Sequence, residues 1–292
     1  MTSQPGVQGD ESSGAVLRDV SDTALWVALD RARETERRRP LFRDPFARRL
    51  AGVRGAHIAR TLRRGRQSWP VVVRTAVFDD LILRTIAREG VTCVLNLAAG
   101  LDTRPYRFDL PTNLRWVEVD LPGIVDYKAR LLDDERPRCR LQRVAVDLTD
   151  SAARQHLLDQ IAPAGPTLVV CEGLLVYLTR DNVAALGRDL AAQPAIRWWL
   201  VDLAGPLFLQ WGTRTLGDQL AAAGASFHFA PEEGPDVFRP LGWEPVEVRS
   251  AWQEARRLGR ESWFLRLMWT FSPPRQRASY QTVSQYVLLG CR

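Results

Sequence analysis

Beyond Gly90 the chain alternates short, almost uninterrupted apolar runs with longer stretches in which apolar residues return every three or four positions. The first pattern suits strands buried on both faces and the second amphipathic helices, so their alternation predicts parallel βαβ units. Strands are predicted over 92–98, 115–120, 139–147, 167–172 and 197–203, with helical segments between them. Two more, 243–250 and 285–291, flank a segment whose middle, 262–271, also reads as extended and apolar. Two late strands in succession suggest an antiparallel edge added to the parallel sheet.

Upstream the period is helical. Residues 21–38, capped by Ser21 or Asp22, place Leu25, Leu29 and Ala32 on one face, and residues 69–88 carry Val72, Val73, Ala76, Leu81 and Leu83. Pro40 and Asp44-Pro45 break the chain between them. Residues 1–18 are too poor in apolar groups to offset the entropy of ordering and read as a mobile tail. The expected organisation is that tail, a helical cap over 19–90 and an α/β domain over 91–292, with a lid at about 205–230.

Composition supports this picture. With 292 residues, 46% of them hydrophobic, there is material for one large domain with an appendage. No apolar run is long enough to span a bilayer and the first residues lack a secretory pattern, so a cytoplasmic protein without membrane contact is expected. Cys93, Cys139, Cys171 and Cys291 show neither zinc nor disulfide spacing and read as reduced packing residues. The net charge of +6 is carried almost wholly by arginine, Lys128 being the one lysine. Arginine clusters at 37–39 and at 63, 64 and 66 read as solvated helix faces rather than a nucleic-acid contact.

Candidate chemistry lies at the ends of the predicted strands. The first runs into Ala98-Ala99-Gly100-Leu101-Asp102-Thr103-Arg104, where small residues would let the backbone approach a ligand. A dinucleotide fingerprint needs glycine where Ala98, Gly100 and Thr103 stand, so a pyrophosphate would meet a methyl group and a β-branched side chain. Asp120 ends the second strand 20 residues after Gly100, the place for a carboxylate that accepts from both ribose hydroxyls, with Glu118 of the same strand parity as the fallback. Asp147 and Leu148 at the end of the third strand suit an adenine amino group and ring. Glu172 closes a strongly apolar fourth strand, where a buried acid needs a partner such as a ligand ammonium.

Together with Ser21-Asp22-Thr23-Ala24, Phe42-Arg43-Asp44-Pro45, Val73-Arg74-Thr75, Asp79-Asp80 and Glu172-Gly173-Leu174-Leu175-Val176-Tyr177-Leu178, these elements make the sequence resemble the leucine carboxyl methyltransferase-like family, in its bacterial branch of S-adenosyl-L-methionine-dependent methyltransferases. The resemblance runs from about Ser21 to the C-terminus. It implies a class I, Rossmann-like, doubly wound seven-stranded sheet with a helical cap, and S-adenosyl-L-methionine as cofactor. It further implies that Arg74 pairs with the cofactor carboxylate as a two-donor fork, Gly100 passes close to it, Asp120 holds ribose, Asp147 and Leu148 hold adenine, and Glu172 meets the amino end. One departure is Ala98, where the family usually has glycine; its methyl group would narrow the approach to the methionine end.

The segment 205–230 carries Phe208, Trp211, Phe227, His228 and Phe229, which suggests an aromatic-walled pocket for a hydrophobic, polyketide-like acceptor of secondary metabolism. O-methylation of a carboxylate needs no base, whereas a phenol would benefit from one, and His228 is the histidine in reach of such a pocket. Tyr177, five residues past Glu172, is placed to orient the acceptor. No metal-ligand cluster is evident. A protein or RNA acceptor, and a noncatalytic cofactor-binding module, are the alternatives; the oligomeric state is open.

Overall fold

The computed structural model describes residues 21–63, 69–161, 165–222, 224–261, 266–267 and 270–292. Seven strands, β1 Cys93–Leu97, β2 Arg115–Asp120, β3 Arg140–Ala145, β4 Thr167–Cys171, β5 Ile196–Ala204, β6 Trp243–Ser250 and β7 Ser284–Cys291, form one sheet in the order β3-β2-β1-β4-β5-β7-β6. Strands β1 to β5 are parallel, and β7 is antiparallel to both its neighbours, β5 and β6.

The expected antiparallel edge is present, and the structure gives its order. The single antiparallel strand is inserted, and β6, outermost, again runs with β5. Burial explains the order: Tyr286, Val287, Leu288 and Leu289 are covered on both faces and need neighbours, whereas β6 carries Pro245, which cannot donate to a ladder, and exposes Val246 and Val248.

The helices are α1 Ser21–Thr35, α2 Ala47–Arg63, α3 Trp69–Arg88, α4 Arg104–Arg107, α5 Pro122–Leu131, α6 Ser151–Ile161, α7 Arg180–Ala191, α8 Pro206–Ala222 and α9 Ala251–Arg257, with a last helix Pro274–Gln281. Short 3-10 turns cover Leu175–Tyr177 and Gly234–Leu241. Helix α2 fills the stretch that the prolines left without a predicted element. Its buried face is small, Leu50, Ala51, Ile58 and Ala59, and it kinks at Gly52, so its period is faint. Within 262–271, residues 266–267 and 270–271 are helical rather than extended, and the others lie outside the described residues. So do the expected tail over 1–18, Arg64 and Arg66.

One core lies on the sheet face covered by α6 and α7, where Leu157, Leu158, Val183 and Leu186 meet Leu95, Val119, Val169 and Val201. The other lies under α3, where Val77, Phe78 and Leu81 meet Val94, Trp116, Leu168 and Tyr286. Helices α1 and α2 pack together over Leu101 and Tyr106 at the carboxyl end of β1. Chain direction reverses between β1 and β4: connections from β1 lead outward to β2 and β3, those from β4 to β5. Such a switch point opens a crevice at the carboxyl ends of the strands, where ligands bind in open α/β sheets. Among the described residues no helix is long and apolar enough to cross a membrane. The four cysteines are free thiols, three of them buried.

Candidate active site

The crevice is a cavity of about 690 Å³, within the range for a nucleoside-sized ligand. It is lined by the turn after β1, the ends of β2 to β5, the first turns of α1 and α3, and α8. Of the residues singled out from sequence, Arg74, Ala98, Gly100, Asp120, Asp147, Leu148, Glu172 and Tyr177 all line it. His228 does not: its side chain is exposed, while its backbone N–H donates to the Val176 carbonyl at 2.7 Å. The aromatic segment therefore splits, with Phe208, Trp211 and Phe227 on the cavity wall and Phe229 inside the core beneath α7.

The turn after β1 is left-handed at two residues, Ala98 and Gly100, each at φ 51°. For Ala98 this costs roughly 1 kcal/mol through its Cβ, and explains why glycine suits that position. The Gly100 N–H donates to Asp120 Oδ2 at 2.6 Å and the Leu121 N–H to Oδ1 at 2.8 Å. Each carboxylate oxygen thus keeps one acceptor site, so Asp120 can receive two ribose hydroxyls while fixing the turn. Burial pushes its carboxyl above the ordinary aspartate range, a shift that the two backbone donors only partly counter. Glu118 points elsewhere. It is 2% exposed, accepts from Lys128 Nζ at 2.8 Å and Arg143 Nε at 3.1 Å, and lies off the cavity. Asp147, two residues beyond β3, is exposed and accepts from the backbone and hydroxyl of Thr149, which hold its carboxyl below the usual range.

Register places Glu172 beside Asp202, because Cys171 of β4 pairs with Val201 of β5. Two adjacent carboxylates at a sheet edge repel, and Arg74 lies between them: its Nε donates to Glu172 Oε1 at 3.1 Å and its Nη1 to Asp202 Oδ2 at 2.9 Å. Arg104 Nη2 approaches the other Glu172 oxygen at 2.8 Å and also meets Asp79 and Asp102. Arg107 completes the network on Asp79. Four carboxylates thus face three guanidiniums, leaving one negative charge in excess at this end of the cavity. Burial opposes the charge on Arg74, but Asp202 and Glu172 outweigh it and push its pKa above the ordinary guanidinium value. Asp102 is likewise held far below the carboxylate range by Arg104, Lys128 and Arg107 against the effect of burial.

These partners refine the sequence reading in two ways. The acid at the end of β4 does need a partner, and the protein itself supplies two guanidiniums. Arg74 spends its Nε and one Nη1 donor on protein acids, so what it can offer a ligand carboxylate is Nη2 and the second Nη1 N–H. Sequence reasoning missed Asp202, although the signal used for Glu172, an acid inside an apolar run at a strand's end, is repeated in Trp199-Leu200-Val201-Asp202-Leu203. Gly173 follows from the same geometry. At φ 75° it accommodates a backbone N–H donating to Asp202 Oδ1 at 2.6 Å, and an added Cβ would stand 3.1 Å from Arg74 Nη1.

The rest of the wall is aromatic. Tyr177 leans on Phe227 with ring centroids 5.5 Å apart, and Phe227 on Phe208 at 5.7 Å. Trp26 of α1 joins them around the same space. Burial raises the Tyr177 phenol above its ordinary pKa, despite Arg74 nearby and a hydrogen bond with Thr23.

The residues fit a nucleoside sulfonium with an amino-acid tail: Asp120 suits ribose, a close-approach turn follows β1, and an anion-rich cluster suits a ligand with net positive charge. Comparison with known proteins agrees. The family profile described as Leucine carboxyl methyltransferase matches residues 24–191. A relative from Streptomyces avermitilis, provisionally named an S-adenosyl-L-methionine-dependent methyltransferase, is 36% identical over 248 residues, covering 80% of this chain and 84% of its own length. Another from Mycolicibacterium smegmatis, similarly named, is 34% identical over 268 residues, covering 82% and 88%. Two crystal structures share the fold at 14% identity: a DUF574-family protein of Streptomyces avermitilis, with TM-score 0.58 over 92% of this chain and 97% of that one, and a protein of Thermobifida fusca provisionally named a methyltransferase, with TM-score 0.57 over 98% and 100%. The chain belongs to the leucine carboxyl methyltransferase family and is an S-adenosyl-L-methionine-dependent methyltransferase of the class I fold.

Proposed function

We propose that this methyltransferase acts on an oxygen, and specifically on a carboxylate of an apolar, polyketide-like small molecule. One observation carries the reading: His57, His156 and His228 are all exposed and none lines the cavity. The acids that do line its charged end are engaged with guanidiniums or backbone amides. An acceptor that arrives already ionised needs no base, whereas a phenol, with a reference pKa of about 10, does.

When bound, S-adenosyl-L-methionine supplies an electrophilic methyl group, transferred in line to oxygen as the sulfur keeps the bond's electron pair and loses its positive charge. The protein's part is alignment and exclusion of water. Asp120 holds the ribose, Asp147 and Leu148 flank the adenine, and the Arg74–Glu172–Asp202 group receives the amino-acid end. Tyr177, kept protonated by burial, donates to the acceptor oxygen and orients it, while Phe208, Trp211 and Phe227 shelter the apolar body.

A panel of apolar carboxylic acids and phenols, offered with methyl-labelled cofactor, tests this. An alkali-labile methyl ester is expected, with His228→Ala retaining turnover within about tenfold, since loss of a general base costs about 10² to 10⁴. An alkali-stable ether formed by an enzyme that His228→Ala cripples would overturn the proposal.

A further inference from the structure

Helix α3 carries two buried threonines whose hydroxyls behave differently. Thr85 donates to the Leu81 carbonyl four residues earlier at 2.8 Å. Thr35, Thr61 and Thr215 make the same backward bond in their own helices. Such a bond is the usual way for a helical threonine to satisfy its hydroxyl. Thr75 does not make it: its side chain is 1% exposed, and its Oγ1 is buried without a hydrogen-bond partner. Leaving a buried hydroxyl unpaired costs free energy, so such a group in a native protein calls for an explanation.

Its position supplies one. Thr75 lines the cavity directly after Arg74, at the end where Glu172 and Asp202 also stand. That end already holds an excess of carboxylates, so an incoming anionic group needs donors, and Arg74 has two of its nitrogens committed to protein acids. A neutral hydroxyl adds a donor there without disturbing the ion pairs.

We propose that Thr75 Oγ1 donates a hydrogen bond to the carboxylate of the cofactor's amino-acid end, forming with Arg74 a two-point cradle for that group. The proposal rests on the cofactor and is independent of the acceptor's identity.

Thr75→Val keeps the shape and removes the donor. Calorimetry is run with two probes that share nucleoside and sulfur: S-adenosylhomocysteine, which has the amino-acid end, and 5′-methylthioadenosine, which lacks it. The variant should bind S-adenosylhomocysteine roughly ten- to a hundredfold more weakly, the range for a hydrogen bond to a charged group. It should bind 5′-methylthioadenosine as the parent does, and Thr75→Ser should stay within about threefold of the parent for both. The unliganded valine variant should melt at or above the parent's temperature, because an unpaired hydroxyl has been removed; a merely structural hydroxyl would give a lower Tm. Unchanged affinity for S-adenosylhomocysteine, or equal loss for both probes, would overturn the proposal. If the valine chain fails to fold, Thr75→Ala and Thr75→Ser carry the same comparison.

Discussion

Two buried ion clusters flank β2 and β1, and they differ in what they leave undone. Off the cavity, Glu118 is closed in by Lys128 and Arg143, and Arg143 in turn meets the Tyr106 hydroxyl. Every member finds its partner within the protein, and none lines the cavity. At the carboxyl ends, Arg74, Glu172, Asp202 and Arg104 are also paired, yet they open on the cavity, carry one surplus negative charge once Asp79, Asp102 and Arg107 are counted with them, and lie beside an unpaired hydroxyl. The first arrangement holds a helix and two strands together. The second leaves a charged cavity wall that the protein has only partly covered with its own side chains.

The largest effect should come from opening the closed cluster. Glu118→Ala strands the Lys128 ammonium in the interior, and breaking a buried pair from one side destabilises by about 3–5 kcal/mol. Urea unfolding should show this loss, with affinity for S-adenosylhomocysteine little changed in the protein that stays folded. A stable Glu118→Ala chain with weak cofactor binding would erase the contrast between the clusters.

In the open cluster and its neighbour the order should invert. Asp120→Ala is expected to weaken S-adenosylhomocysteine binding by about 1.5–3 kcal/mol, with a smaller change in stability. Arg74→Lys should lower affinity roughly tenfold, because an ammonium cannot bridge Glu172 and Asp202 as a planar guanidinium does. If titration calorimetry finds parental affinity in both folded variants, the cavity's charged end does not hold the cofactor.

Acid sharpens the same contrast, since Asp102 and Asp120 shift in opposite directions. Asp102 is depressed in the fold, so the stability it contributes is present above the unfolded aspartate pKa of about 3.9 and is lost only as pH falls through its much lower folded value. Asp120 is raised, so its contribution is full below that unfolded value and is lost as pH rises through its folded one. Because ribose hydroxyls donate to the ionised form, cofactor affinity should instead rise with pH through that same window. Affinity for S-adenosylhomocysteine measured from weakly acidic to neutral pH should therefore fall on acidification in the parent and lose this step in Asp120→Asn. Equal slopes in both would remove Asp120 from the ribose role.

The smallest effect is expected at Ala98. Relief of its left-handed backbone in Ala98→Gly is worth about 1 kcal/mol, of which the freer unfolded glycine returns part. A net gain of about 0.5 kcal/mol should appear as a higher urea midpoint, and a loss would show that the Ala98 methyl packs usefully.

Much of the sheet was legible because parallel strands buried on both faces must be apolar throughout. Residues 115–120 and 243–250 were read with the bounds the structure has. Helix α2 was not, because its buried face is built of small residues and a kink, and its period appears only once α1 lies against it. The acids at strand ends were equally legible as acids. Its place at the strand's end put Asp120 ahead of Glu118, two residues earlier with the same parity, but the closure of Glu118 by Lys128 and Arg143 could not be read from the chain, and Asp202 sat in its apolar run without standing out.

By itself, then, the sequence determined what depends on local pattern: the alternation of strands and helices, the turn of small residues after β1, the acids at the ends of β2, β3 and β4, and an aromatic stretch beyond β5. These follow from periodicity and from the backbone freedom of small residues, which neighbours along the chain decide. Only the tertiary structure decided which acids pair and which face the cavity. It sent His228 outward and Phe229 into the core, inserted β7 between β5 and β6, and brought Arg74 between Glu172 and Asp202. Pairing of charges and burial of a hydroxyl depend on groups far apart in the chain, 128 positions for Arg74 and Asp202, and such distances close only when the sheet assembles.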